Sequence, residues 1–274
     1  MSVTIECTIE VSMRRLRAAL TAVVPHAEPT KNGDDPSPLS RVRIVLGRSE
    51  LQFMAASSPT AALAAVGIES DSRRERFAVD DGPMVIDVEP GIVRKLLQQF
   101  KAPKSDANGT DPIAVLTVGS DGFWDIQDQD GLIPGMEARY PYLESTDRFP
   151  DVAAMIGRAL AEASSSPARR NLVADEKTLR LFAHAPAAYG RLLTCEPLGE
   201  QRRGWVVWCG PSFIGLLSSD TGGEDSLGRR DADRHMHMVR FGLAEADQDL
   251  IDLARQELGA TSDEDDEDEI DEDE

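Results

Sequence analysis

The sequence predicts an α+β fold in which helices pack on antiparallel sheets, and three observations carry that expectation. Short runs alternate apolar and polar residues with a period of two, the signature of half-buried strands. Most of these runs come in pairs joined by tight turns rather than singly between helices, which argues for hairpins over a parallel doubly wound sheet. Two segments of the first half switch to helical spacing, each with one apolar stripe.

The elements follow in order. Residues 2–11 place Val3, Ile5, Cys7, Ile9 and Val11 on one face of a strand. Ser12 then suits a helix N-cap, because its hydroxyl can accept from a free backbone amide. The helix over 13–24 buries Met13, Leu16, Leu20, Val23 and Val24, and Pro25 ends it. Residues 26–40 read as loop. Strands over 41–46 and 51–56 form a hairpin across a Gly47-Arg48-Ser49-Glu50 turn, and a third strand spans about 61–69. After a polar loop over 70–76, residues 84–88 form another strand. Glu89 and Pro90 suit the start of a helix over 92–100, one by charge, the other because proline has no N–H to satisfy. Strands over 113–118 and 123–127 form a second hairpin around Gly119-Ser120-Asp121-Gly122, with a further strand near 131–138.

From residue 151 the order resumes in shorter form. A helix over 152–163 precedes a strand at 171–173, a helix near 175–185, and strands at 191–198, 204–208 and 213–217. Strand, turn, helix and hairpin recur in the order seen at 84–126, which reads as a weak internal repeat. Residues 220–234 read as loop and 243–259 as an amphipathic helix. The expected domains are 1–148, a shortened copy at 149–220, a loop and helix at 221–259, and an acidic tail at 260–274.

Charge and composition narrow the function. The formal net charge is −20, but residues 263–274 hold eleven acids, and without them the chain stands at −9. Cys7, Cys195 and Cys209 are odd in number and lack CxxC spacing, which fits a reducing cytoplasm better than a disulfide framework. Apolar runs fall short of the roughly 18–20 residues that span a membrane. No phosphate-binding glycine loop, zinc-protease motif or nucleophile elbow occurs, so no catalytic constellation, cofactor or metal site is expected. His235 and His237 read as an exposed pair without further ligands. Asp128, Asp130 and Glu137 occupy calcium-loop positions, but Ile126 stands at the first and strands flank the loop, so a polar turn is the better reading.

The polar faces of the helices are the informative feature. Helix 13–24 carries Arg14, Arg15 and Arg17 with no acid, and 90–104 carries Arg94, Lys95, Lys101 and Lys104 with none. The second half offers Arg158, Arg169, Arg170, Lys177 and Arg180, mixed with Asp175 and Glu176. Helices that concentrate cations in an acidic protein attract phosphate on one side and repel it elsewhere.

In this order of elements the chain resembles the bacterial DNA polymerase III beta subunit, the replicative sliding clamp. The residues carrying the resemblance are MRRLRAALTAVVPHA, LQFMAASSPTAALAAVGI, MVIDVEPGIVRKLLQQF, NLVADEKTLRLFAHA with FIGLL, and above all RFPDV at 148–152. The resemblance implies clamp domains with two pore-lining helices on outer antiparallel sheets, and a non-enzymatic processivity factor that encircles duplex DNA. It implies a polymerase and a clamp loader as partners. DNA would be met by Arg14, Arg15, Arg17, Arg94, Lys95, Lys101, Lys104, Arg158, Lys177 and Arg180. Partner peptides would meet Phe213, Leu216 and Leu217, where Leu216-Leu217-Ser218-Ser219 replaces a Met-Pro-Met-like strand of the family. The family has three domains per chain in a dimeric ring. This chain has room for two at most, so a six-domain ring needs a trimer, and a dimer is the other possibility. A clamp-like protein that makes no ring and engages replication proteins through its acidic surface or tail is the alternative.

Overall fold

The computed structural model describes residues 5–29, 37–69, 83–101, 111–130, 133–145, 148–163, 174, 176–198 and 204–218. The chain divides into two compact units, Met1–Asp220 and Thr221–Glu274. All described residues belong to the first. The expected strand at 171–173, loop at 220–234, helix at 243–259, acidic tail, His235, His237, Arg169, Arg170 and Lys104 lie outside them.

The first half holds two copies of one motif. β1 (Ile5–Ser12), α1 (Met13–Val23), β2 (Val42–Leu46), β3 (Glu50–Ala56) and β4 (Thr60–Gly67) form the first. β5 (Met84–Val88), α2 (Pro90–Gln99), β6 (Ile113–Gly119), β7 (Phe123–Asp130) and β8 (Ile133–Pro141) form the second. Each lead strand leaves its own motif and pairs with the hairpin of the other: β1 lies antiparallel to β6, and β5 to β2. The result is two sheets of matching order, β1-β6-β7-β8 and β5-β2-β3-β4.

The second sheet does not end at β4. β12 (Phe213–Ser218) pairs with β4 from Phe213↔Ala64 to Leu217↔Thr60, and β11 (Gly204–Cys209) and β10 (Leu193–Pro197) continue outward. At the other end β9 (Leu143–Glu144) pairs with β5. The eight-stranded sheet therefore runs across the 148/149 position where the sequence suggested a domain boundary.

Alternation divides this sheet cleanly. Phe53, Ala55, Ala62, Ala64, Phe213, Leu217, Trp205 and Val207 join the main core. Met54, Ala56, Ala61, Leu63, Ile214 and Leu216 point to the opposite face. The main core also takes Ile9, Val11, Leu116 and Trp124 from the four-stranded sheet, and the apolar stripes of α1 and α2. α1 packs on β3 and β4 and against α2 and the short helix α5 (His184–Tyr189), which adjoins α4 (Glu176–Phe182). α3 (Val152–Ala163) covers the opposite face, where Phe149, Val152 and Ile156 meet Met54 and Ala56. RFPDV is thus a hinge of packing: Phe149 is buried under the Arg43 guanidinium, 4.4 Å from its ring centre.

Local chemistry accounts for the ends. Ser12 Oγ accepts from Arg15 N at 3.2 Å, and Asp151 Oδ1 accepts from Ala154 N at 2.9 Å, each satisfying an amide with no helical partner. The single helix expected near 175–185 is two, broken at Ala183. Pro186 has no N–H to donate to the Phe182 carbonyl four residues back, so α4 cannot run on through it.

Candidate nucleic-acid interface and adjoining cleft

The basic residues of α1 separate into three kinds. Arg15 is exposed and makes no ion pair among the described residues. Arg14 Nε lies 3.2 Å from Asp111 Oδ1, and Asp111 Oδ2 accepts from Ser12 Oγ at 3.3 Å, so one carboxylate gathers the start of the helix. Arg17 is half-buried and donates from Nη1 to the Leu97 carbonyl at 2.8 Å. It supplies a positive charge and a donor to the last turn of α2, where carbonyls lack helical partners. Burial lowers its pKa from the ordinary arginine value without threatening its charge.

On α2, Arg94 and Lys95 are exposed, and Lys101 is exposed just beyond its end. On α4, Lys177 is exposed and Arg180 pairs with Glu176 one turn earlier. α1, α2, α4 and α5 belong to one helical layer, linked by the contacts of α1 with α2 and α5 and of α5 with α4. Arg158 does not join them. It is exposed on α3, across the long sheet, with its Nε 3.3 Å from the Ala154 carbonyl. Asp128 and Asp130 lie on β7 and Glu137 on β8, as neighbouring strands of a hairpin.

A cleft of about 520 Å³ opens on the α3 side of the long sheet. The β3–β4 turn from Ala56 to Ala61 forms one wall, and Leu39, Pro150, Met155, Leu198 and Leu216–Ser218 complete it. Of the three residues expected in a partner pocket, Leu216 lines this cleft from the outer face, and Leu217 borders it although its side chain is buried in the main core. Phe213 does not; it is buried on the opposite face, 6.2 Å from the His26 ring and 6.4 Å from that of Tyr189. The turn, Pro150, Met155 and Leu198 escaped the sequence reading, because they meet only when β12 docks on β4.

A hydrogen-bonded chain anchors the turn. Ser57 Oγ lies 3.1 Å from Thr60 Oγ1, which lies 3.0 Å from His26 Nδ1. His26 is fully buried with its ring edge-on to Phe182 at 4.6 Å. Burial, with a smaller contribution from His184, pushes its pKa down to about 3, so the ring stays neutral. The cleft wall is thereby tied to the end of α1 by uncharged groups.

With its paired βαβββ motifs and exchanged lead strands, the chain shares the fold of solved sliding clamps. Among solved structures the chain is similar to the DNA polymerase III beta subunit of Thermotoga maritima, with TM-score 0.51 and 11% identity, over 86% of this chain and 75% of that one. It also matches the beta subunit of Streptococcus pyogenes DNA polymerase (0.49, 12%, over 80% and 67%) and the DNA polymerase sliding clamp of Bacillus subtilis (0.49, 11%, over 80% and 65%). At these identities the likeness is one of fold. No family model matches the chain, and no curated protein matches it in sequence. No described helix is long and apolar enough to cross a membrane.

Proposed function

We propose that this protein is a processivity factor, a non-enzymatic clamp that surrounds duplex DNA in the cytoplasm and tethers a replicative polymerase placed there by a loader. The observation that carries the reading is the exposed cations of one helical layer that have no ion pair among the described residues, Arg15, Arg94, Lys95 and Lys101, in a protein of net charge −20. Contacts to phosphate read no sequence and are individually weak, which suits sliding. Surrounding DNA takes more than one copy, since the described residues supply one doubled motif and part of another. Arg14 and Arg17 act through structure as well as charge, and Arg158 has no place in the interface. Leu216, with Leu39 and Met155, supports a second element of the reading: an apolar cleft that accepts a short apolar segment of the polymerase or loader.

Reversing Arg15, Arg94 and Lys95 together to Glu tests it. Retention on circular DNA should fall at least tenfold while folding and self-association persist, and the dependence of retention on salt should flatten. Unchanged retention would remove the helices from the interface.

A further inference from the structure

Among the described cations of α1 and α2, only Arg14 has an acidic partner, and that partner comes from outside the helices. Asp111 stands just before β6, where the pairing of β1 with β6 brings Ile113 opposite Ser12. The Pro112 carbonyl accepts from Met13 N at 2.8 Å, so the backbone beside Asp111 is held against the first turn of α1. Its carboxylate is held less firmly. Both of its contacts are long, 3.2 Å to Arg14 Nε and 3.3 Å to Ser12 Oγ.

Given that the helical layer meets duplex DNA as proposed above, we infer that Asp111 limits its grip. The carboxylate holds Arg14 in the free protein and yields it to a backbone phosphate when the duplex arrives. Asp111 touches no DNA in this scheme; it acts through Arg14.

The pair is built to exchange. The Arg14 side chain is 50% exposed and that of Asp111 36%, so water screens them and a phosphate can approach. Exposed ion pairs of this kind are weak, and a charge-assisted bond of full strength is shorter, at about 2.7–2.9 Å. Asp87 is the contrast within the same chain. Its carboxylate has no exposed surface and meets Arg43 at 2.8 Å, which leaves no route for a competing anion.

The position of Asp111 also explains why a carboxylate stands there. The first turn of α1 has no acid, although the positive end of a helix favours one, and it carries Arg14 and Arg15 instead. Asp111 supplies the missing negative charge from another segment of the chain. A support for α1 and a competitor for Arg14 make opposite predictions. Removing a mere support weakens the helix and the retention of DNA with it. Removing a competitor frees a cation and strengthens retention. A contact that Asp111 recaptures each time a phosphate leaves suits a protein that must hold DNA and still slide.

Asp111→Asn tests the sign, because it keeps the size of the side chain and an acceptor for Ser12 Oγ but removes the charge. In the full-length chain, retention on circular duplex DNA should rise about two- to fivefold for each copy around the DNA. The slope of log retention against log salt should steepen by about one per copy, as one more phosphate is neutralised. A supporting role would not move that slope. In an Arg14→Gln background the same substitution should give less than half of the gain. A fall in retention would make Asp111 a support, and a gain of full size without Arg14 would make it a general source of repulsion; either overturns the proposal. No gain from Asp111→Asn, while reversal of Arg15, Arg94 and Lys95 still abolishes retention, overturns it alone. No change in either experiment overturns the DNA reading as well.

Discussion

The two faces of the long sheet are built from alternate residues of the same strands and are filled in different ways. The inner face is closed by aromatic and aliphatic groups: Phe182 sits directly over Gly215, and the buried polar groups His26 and Thr60 are uncharged and bonded to each other. The outer face is covered among the described residues by α3 with Phe149, Leu39 and Leu198, carries a buried carboxylate held by two arginines, and leaves the cleft beside the Ala56–Ala61 turn. The contrast teaches that one face is closed by apolar packing, whereas the other combines a buried ion pair with an open cleft.

The largest test strikes the outer face. Asp87 has no exposed surface, and Arg43 meets both its oxygens, at 2.8 and 3.1 Å, with Arg41 at 3.6 Å. Asp87→Ala strands two poorly hydrated cations and should cost about 3–5 kcal/mol in urea unfolding. A loss under 1 kcal/mol would mean that water reaches the pair and that the outer face is looser than described.

The inner face should respond less, and in a way that can be reversed. A Cβ on Gly215 would lie 2.5 Å from Phe182 Cε1 and 3.0 Å from the Ala61 carbonyl oxygen. Gly215→Ala should therefore cost about 1–3 kcal/mol by overpacking. Phe182→Leu should recover part of that loss in the double variant, a non-additivity expected of touching groups. Additive effects would show that the backbone contact, not the ring, sets the limit.

The smallest effect is a pH dependence. His26 binds a proton far more readily unfolded, at an ordinary pKa of 6.5, than folded, at about 3. Its contribution to stability is complete above pH 6.5 and is lost as pH falls from there toward 3. Moving from pH 7 to 5.5 should cost roughly 1 kcal/mol through this group. His26→Gln should flatten that part of the stability profile, and an unchanged profile would show that other groups govern it.

Much of this fold was legible because period-two alternation registers directly which side of a strand is buried. The strands over 41–46, 51–56, 113–118 and 204–208 lie within a residue or two of their expected limits. The doubled motif was visible only as a list of elements, since the exchange of β1 and β5 between sheets leaves no local mark. The cation stripe on α1 was legible, but its use was not: Asp111 and the Leu97 carbonyl lie far along the chain from Arg14 and Arg17. The break at Ala183 was written in Pro186, whereas the cleft, assembled from five separated segments, had no sequence signal beyond Leu216 and Leu217.

The joint between β4 and β12 also sets a timetable. Thr60–Gly67 precedes Phe213–Ser218 by about 150 residues. At about 5–20 residues per second of synthesis, that delay is on the order of 8–30 s. Throughout it the edge of β4 and the apolar side of Ala62 and Ala64 wait for a strand the ribosome has not yet released. A nascent chain stalled anywhere before residue 213 therefore offers chaperones, or another stalled copy, the same ladder of backbone groups that β12 will later claim.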